Sequence, residues 1–236
     1  MIRNPQIKRI IRKNKAPAMK ESTQKEKVLK SVRDALVHSL GAPFEDVDLD
    51  SRVVHQPDPG ALDIAFAESF TRANGRFVFC ADMTELSEGL RTLLDERLIN
   101  EVWCGEDFFR GLLGESGIRC GSEAENLASS QAAVTGCEVL VARTGSVVLS
   151  SRQGGGRRAY IMPPLHIVVA STRQLVPDIQ DAFRFIDRKY ENDRPSMLSF
   201  VTGPSRTADI EKKLVLGAHG PGELFVFLVD TGGGQA

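Results

Sequence analysis

One stretch of the chain has the residue types to grip a small anion: Thr202-Gly203-Pro204-Ser205-Arg206-Thr207-Ala208-Asp209. It follows an apolar run, Met197–Thr202, and precedes a helical pattern over Ala208–Leu216. That places it at a strand-to-helix corner, where open α/β sheets bind ligands. Gly203 permits close backbone approach. Ser205, Thr207, the Arg206 guanidinium and the free N–H groups of a helix start could together hold a phosphate or carboxylate. The same residues also spell an ordinary helix cap, with Ser205 or Thr207 capping and Asp209 placed favourably on the dipole. The local pattern leaves both readings open.

His219 stands in Gly217-Ala218-His219-Gly220-Pro221-Gly222, a tight loop that could present an imidazole as acid, base or ligand, or hold it as a hydrogen-bonded turn element. It is the candidate catalytic group. Ser205, Asp209 and His219 invite a hydrolase triad, but no G-x-S-x-G elbow accompanies them. Gly154-Gly155-Gly156-Arg157-Arg158-Ala159 has the spacing of a dinucleotide fingerprint in the wrong context, since a β run is expected to follow it. It reads as a hairpin tip on which Arg158 and its neighbours meet solvent, an anion or a partner. His166 lies inside an apolar run and reads as a satisfied core histidine. Cys80, Cys104, Cys120 and Cys137 contain no C-x-x-C pair, so neither a zinc ribbon nor an iron–sulfur motif is present. They read as reduced, packed thiols of a cytoplasmic protein.

The elements that must position these groups follow from periodicity. Val28, Leu29, Val32, Leu36 and Leu40 make an amphipathic helix opened by Ser22 or Thr23 and closed at Gly41. A Pro-rich, acidic connection runs to about residue 59. Helix and strand then alternate: a helix with Leu62, Phe66 and Phe70, the strand RFVFCA, a helix capped by Asp82, the strand Glu101–Cys104, and a helix with Phe108 and Leu112. Such alternation indicates βαβ units and a largely parallel sheet. Glu138–Ala142, Ser146–Ser150 and Ala159–Ala170 suggest an antiparallel or mixed insertion, with Pro163-Pro164 at an edge or bend. Helix Asp178–Tyr190 and the doubly apolar strand Leu224–Asp230 complete a three-layer α/β domain. The expected division is a basic tail (1–20), a helix and linker (21–59) and an α/β domain (60–236).

With 42% hydrophobic and 26% charged residues, the composition is that of a globular protein. No apolar run is long enough for a membrane span, and the N-terminus lacks the apolar core of a secretory signal. The net charge of −1 conceals a tail with seven lysines and arginines and no acid in its first twenty residues. Such a tail could meet nucleic acid, but a solvated extension is the simpler reading, so nucleic acid is not expected as a partner.

Three segments, in order, resemble the LUD-domain family of lactate-utilisation proteins: Ala142-Arg143-Thr144-Gly145-Ser146-Val147-Val148-Leu149, then Met162-Pro163-Pro164-Leu165-His166-Ile167-Val168-Val169, then Gly203-Pro204-Ser205-Arg206-Thr207-Ala208-Asp209-Ile210-Glu211 with Gly217-Ala218-His219-Gly220-Pro221. Where the family typically has Glu-Thr-Gly-Thr, this chain has Arg143-Thr144-Gly145-Ser146. The reversed charge speaks against a catalytic or metal role at that position and for a binding one. The resemblance implies a fold similar to the NagB/RpiA/CoA-transferase group, mostly parallel with an antiparallel or mixed portion. It also implies a part in oxidising L-lactate to pyruvate beside two iron–sulfur subunits, this chain being the member without clusters or cofactor of its own. The site residues expected to bind a small anion are Gly203, Ser205, Arg206, Thr207, Asp209, His219, Thr144 and Arg158. An independent CoA-transferase-like enzyme and a small-molecule-binding regulatory module are the alternatives.

Overall fold

The computed structural model describes residues 23–37, 56–191, 193–207, 215–216 and 220–232. The chain divides into two units, residues 1–53 and 54–236. In the first, helix α1 (Gln24–Val37) opens on a reciprocal cap. The Glu26 N–H donates to Thr23 Oγ1 (3.3 Å), and the Thr23 N–H donates to Glu26 Oε2 (2.8 Å).

The second unit begins with α2 (Leu62–Arg72), β1 (Arg76–Cys80), α3 (Met83–Glu96), β2 (Glu101–Trp103), α4 (Asp107–Glu115) and β3 (Arg119–Gly121). It continues through β4 (Ala132–Thr135), β5 (Val139–Val141), β6 (Ser146–Ser150), the helical turn α5 (Gly156–Ala159) and β7 (Leu165–Ser171). It ends with β8 (Leu175–Val176), α6 (Ile179–Tyr190), β9 (Leu198–Val201), β10 (Arg206–Thr207), β11 (Val215–Leu216) and β12 (Glu223–Val229). Six strands form a wholly parallel sheet in the order β1-β12-β7-β4-β2-β3. Four form a mixed sheet, β8-β5-β6-β9, in which only β5 and β8 run parallel.

Alternation along the central strands assigns their two faces. Leu165, Ile167 and Val169 of β7, with Phe225, Phe227 and Val229 of β12, pack against Leu86, Leu90 and Leu93 of α3. Val168 and Ala170, with Leu224, Val226 and Leu228, face Phe66 and Phe70 of α2 and Leu140, Val147 and Leu149 of the mixed sheet. Strands buried on both faces carry no polar alternation, as the LFVFLV run requires. Each fully buried side chain of this kind contributes about 1.5–3 kcal/mol. Behind the mixed sheet, α6 closes over Val139, Val141 and Val148. Asp82 caps α3 as expected, its carboxylate accepting from the Thr84 and Glu85 N–H groups.

Three expectations change. The run Ala159–Ala170 is not one strand of an insertion: α5 ends at Ala159, and Pro163-Pro164 precede β7, which lies at the centre of the parallel sheet. A proline just outside a strand withholds no ladder hydrogen bond, and the Pro164 carbonyl accepts from the Glu223 N–H at 3.2 Å. The Gly154–Arg158 segment is not a hairpin tip, because α5 does open there, after Gly155 at φ +77°. A side chain at Gly155 would strike the Trp103 ring, 2.1 Å from its Cβ position. Finally, the helix expected over 208–216 does not reach its end: Val215–Leu216 pair antiparallel with Arg206–Thr207, while 208–214 lie outside the described residues. No helix among the described residues is long and apolar enough to cross a membrane.

Candidate functional site

The Gly203–Thr207 loop leaves β9, a strand of the mixed sheet, and runs beside the entry ends of β7 and β12 in the parallel sheet. Its anchor is a chain of hydroxyls: Ser146 Oγ lies 2.7 Å from both Thr144 Oγ1 and Thr202 Oγ1. Gly203 (φ +79°) is needed for approach to the end of α2, not to a ligand, since a Cβ there would stand 2.1 Å from the Ala73 carbonyl oxygen. That same carbonyl accepts from the exposed Arg206 guanidinium. The Ser205 N–H donates to the Pro221 carbonyl at 2.9 Å, which ties this loop to the one that enters β12. Thr207 sits in the β10–β11 ribbon, so the backbone at Arg206–Thr207 is extended. Asp209 and His219 lie outside the described residues.

These two loops and the edges of both sheets border an open cavity of about 220 Å³. Gly203, Ser205 and Gly220 contribute to it from the loops, and Tyr160, His166 and Ser199 from the sheets and the segment after α5. Most of the remaining wall is apolar: Ile161, Val201, Pro221 and Leu224. Neither Thr144 nor Arg158 lines it. The Arg158 Nε donates to Met162 Sδ at 3.4 Å.

His166 is the group that sequence reasoning undervalued. It is fully buried, with Nε2 2.9 Å from Thr135 Oγ1 on the neighbouring strand. Its Nδ1 is buried and has no protein partner among the described residues. The histidine is therefore only half satisfied. Burial pushes its pKa down to about 3, so the imidazole is neutral at physiological pH. If Thr135 donates to Nε2, Nδ1 carries the proton and offers a donor; if Nε2–H donates, Nδ1 is an acceptor. The Tyr160 ring lies 6.2 Å from the imidazole, and its hydroxyl is 3.1 Å from Ser199 Oγ. A polar residue on the inward face of an otherwise apolar strand was the signal available. What could not be read was which loops would meet it.

Arg143 does not face this cavity as a free cation. Its guanidinium binds Asp178 at 2.6 and 2.9 Å. A second buried polar cluster surrounds Glu138, which accepts from Ser150 Oγ (2.6 Å), Gln153 Nε2 (3.0 Å), Lys189 Nζ (2.7 Å) and Tyr190 OH (2.8 Å). Burial pushes the Glu138 carboxyl up, but the hydrogen bonds from Lys189, Ser150 and Tyr190 outweigh it and hold the group below the usual range. Every polar group named in this cluster has a partner within it, so the cluster is built to hold itself together. All four cysteines are free thiols, and among the described residues no three His, Cys, Asp or Glu side chains converge as metal ligands.

Comparison with known proteins places this geometry in context. The family model for the LUD domain matches residues 121–229, the span that holds the mixed sheet, β7, β12 and the cavity. The chain is similar to proteins named Lactate utilization protein C. It is 40% identical over 86 residues to that of Geobacillus thermodenitrificans, covering 36% of each chain. It is 35% identical over 167 residues to that of Bacillus licheniformis (69% of this chain, 65% of the relative). It is 27% identical over 216 residues to that of Shouchella clausii (91% and 87%). The aligned stretch thus spans little more than a third of the Geobacillus relative and most of the Shouchella one. The crystal structure of a DUF162 family protein from Deinococcus radiodurans superposes with a TM-score of 0.55 at 18% identity, over 73% of this chain and 99% of the other. That likeness concerns the fold.

Proposed function

The chain belongs to the LUD-domain family, and from that premise we propose that it serves lactate utilisation as a subunit carrying no cluster of its own, beside iron–sulfur subunits that oxidise L-lactate to pyruvate. Its own contribution is to bind a small molecule in the cavity where the Ser205 and Gly220 loops meet His166. The observation that carries this part is the convergence of the chain's two most distinctive loops on a buried histidine with one ring nitrogen unpartnered among the described residues. The lactate part is supported by the names of relatives aligned over most of the chain. The absence of any C-x-x-C spacing is the reason for assigning the clusters to partners rather than to this chain.

Anaerobic affinity purification of the tagged chain from its native host tests the proposal. Co-purification of iron–sulfur proteins, with lactate-dependent reduction of an artificial electron acceptor by the eluate, is the expected result. A solitary, colourless chain that turns over a substrate unaided would contradict it and favour an independent enzyme.

A further inference from the structure

We propose that Cys120 and Cys104 form a peroxide-sensitive pair: a hydroperoxide oxidises Cys120 to a sulfenic acid, and Cys104 then closes a disulfide onto it. This is independent of the His166 cavity and of lactate utilisation. Position in the fold comes first. β2 and β3 run parallel with Val102 opposite Cys120. The ladder continues past the end of β2, where the Cys104 N–H donates to the Gly121 carbonyl at 2.9 Å. Cys104 therefore follows Val102 on the sheet face that also carries Cys120. Both side chains pack into the core shared with Leu112 and Leu113 of α4, and the two thiols are hydrogen-bonded to each other.

Exposure and charge give the two sulfurs different roles. Cys104 is fully buried, whereas Cys120 is only partly so. The hydrogen bond from Cys104 lowers the Cys120 thiol from its ordinary value; burial opposes this, and the Arg110 guanidinium adds to it. Arg110 is held in place by Nη1, which donates to Ser122 Oγ at 2.9 Å, and by Nη2, which donates to Asp107. The same thiol–thiol bond, followed by burial, pushes Cys104 up, so Cys104 keeps its proton where Cys120 gives its own away. A partly exposed thiolate beside a protonated partner thiol is the arrangement of a redox-sensing pair. The remaining thiols lack it: burial pushes buried Cys80 up to about 11 and raises buried Cys137 as well.

With a hydroperoxide as oxidant the chemistry balances. The Cys120 sulfur attacks one peroxide oxygen; an S–O bond forms and the O–O bond breaks. The other oxygen leaves with a proton from solvent, as an alcohol, or as water when the oxidant is hydrogen peroxide. The Cys104 sulfur then attacks the Cys120 sulfur; the S–S bond forms, the S–O bond breaks, and the departing hydroxyl takes the Cys104 proton as water. The two thiols lose two electrons and the peroxide gains them. Closure brings the sulfurs to about 2 Å. β3 is a three-residue strand at the sheet edge, paired with β2 alone among the described residues, so it yields more readily than a central strand.

The test uses the full chain, reduced and then freed of reductant. Iodoacetamide at neutral pH, followed by peptide mass mapping, is expected to alkylate Cys120 about tenfold or more faster than Cys80, Cys104 and Cys137. One equivalent of hydrogen peroxide is expected to lower the thiol titre in denaturant from four to two, to link the peptides that carry Cys104 and Cys120, and to be reversed by dithiothreitol. In Cys104→Ser, oxidation is expected to stop at a Cys120 sulfenic acid that dimedone captures. Four thiols surviving peroxide, a disulfide between any other pair, or Cys120 alkylated no faster than the others would overturn the proposal. So would a Cys120 that runs on to sulfinic acid in the parent chain while Cys104 stays free. If Cys104→Ser does not fold, alkylation and mapping of the parent chain decide alone. None of these readings depends on partner subunits or on lactate, so this proposal and the lactate reading fail separately.

Discussion

Asp178 accepts from both Nε and Nη2 of Arg143 and from Gln56 Nε2, and it caps α6 through the Ile179 N–H. Burial pushes its carboxyl up, but the hydrogen bonds from Arg143, Gln56 and Ile179 prevail and lower it to about 2. A depressed pKa stabilises the fold above the unfolded value, near 4, and that contribution is lost as pH falls through the folded one. Asp178→Asn keeps the cap and loses the charge, so it is expected to cost about 1–2 kcal/mol at pH 7. The gap from the parent should close between about pH 4 and pH 2, as read by denaturant titration at each pH. Lys189 presents the complementary case. Its removal by Lys189→Met leaves the buried Glu138 carboxylate with neutral donors alone, an expected loss of about 2 kcal/mol given that the lysine is half exposed. Adding Glu138→Gln should recover part of it, and thermal melts of the single and double variants check both statements. Neither pairing was legible beforehand: Arg143 and Asp178 are 35 positions apart and Glu138 and Lys189 are 51, and periodicity says nothing about which distant charges meet. Arg143, expected to favour binding at its loop, is engaged with Asp178 instead.

Secondary structure was readable where one signal dominated. The Asp82 cap, the helix around Phe66 and Phe70 and the doubly apolar β12 all stand close to where spacing and burial pattern put them. It was misread where two signals competed. Apolar residues on both sides of Pro163-Pro164 suggested one long strand, but the chain turns there and enters the sheet only at Leu165. Thr207 and Asp209 suggested a helix start, yet the Arg206–Thr207 backbone pairs with Val215–Leu216. Gly203 shows how an element is held by one residue. Its positive φ and the Ala73 carbonyl against it predict that Gly203→Ala costs about 2 kcal/mol or more and lifts the Ser205 loop from α2. The measurement is a melting temperature. A variant that melts like the parent would show that the close approach does not set the loop's position.

At the scale of the α/β unit, a parallel sheet between α3 on one face and the mixed sheet with α2 on the other leaves a largely apolar cavity where loops from both sheets meet. The mostly parallel α/β architecture followed from the alternation of helices and strands. The position of the cavity did not, because it lies at the entry ends of β7 and β12, whereas ligands on open sheets are expected at the opposite ends. Gly203 and Ser205, two of the residues singled out from the sequence, line the cavity; Ser199 joins them from the strand that leads into their loop, and His166 and Tyr160 from elements far away in sequence. Growth of the native host tests the proposed role in lactate utilisation most directly. Deletion of the gene is expected to abolish growth on L-lactate while leaving growth on glucose intact, with the wild-type chain restoring it and His166→Gln restoring it poorly. Normal growth of the deletion strain on L-lactate as sole carbon source would contradict the account.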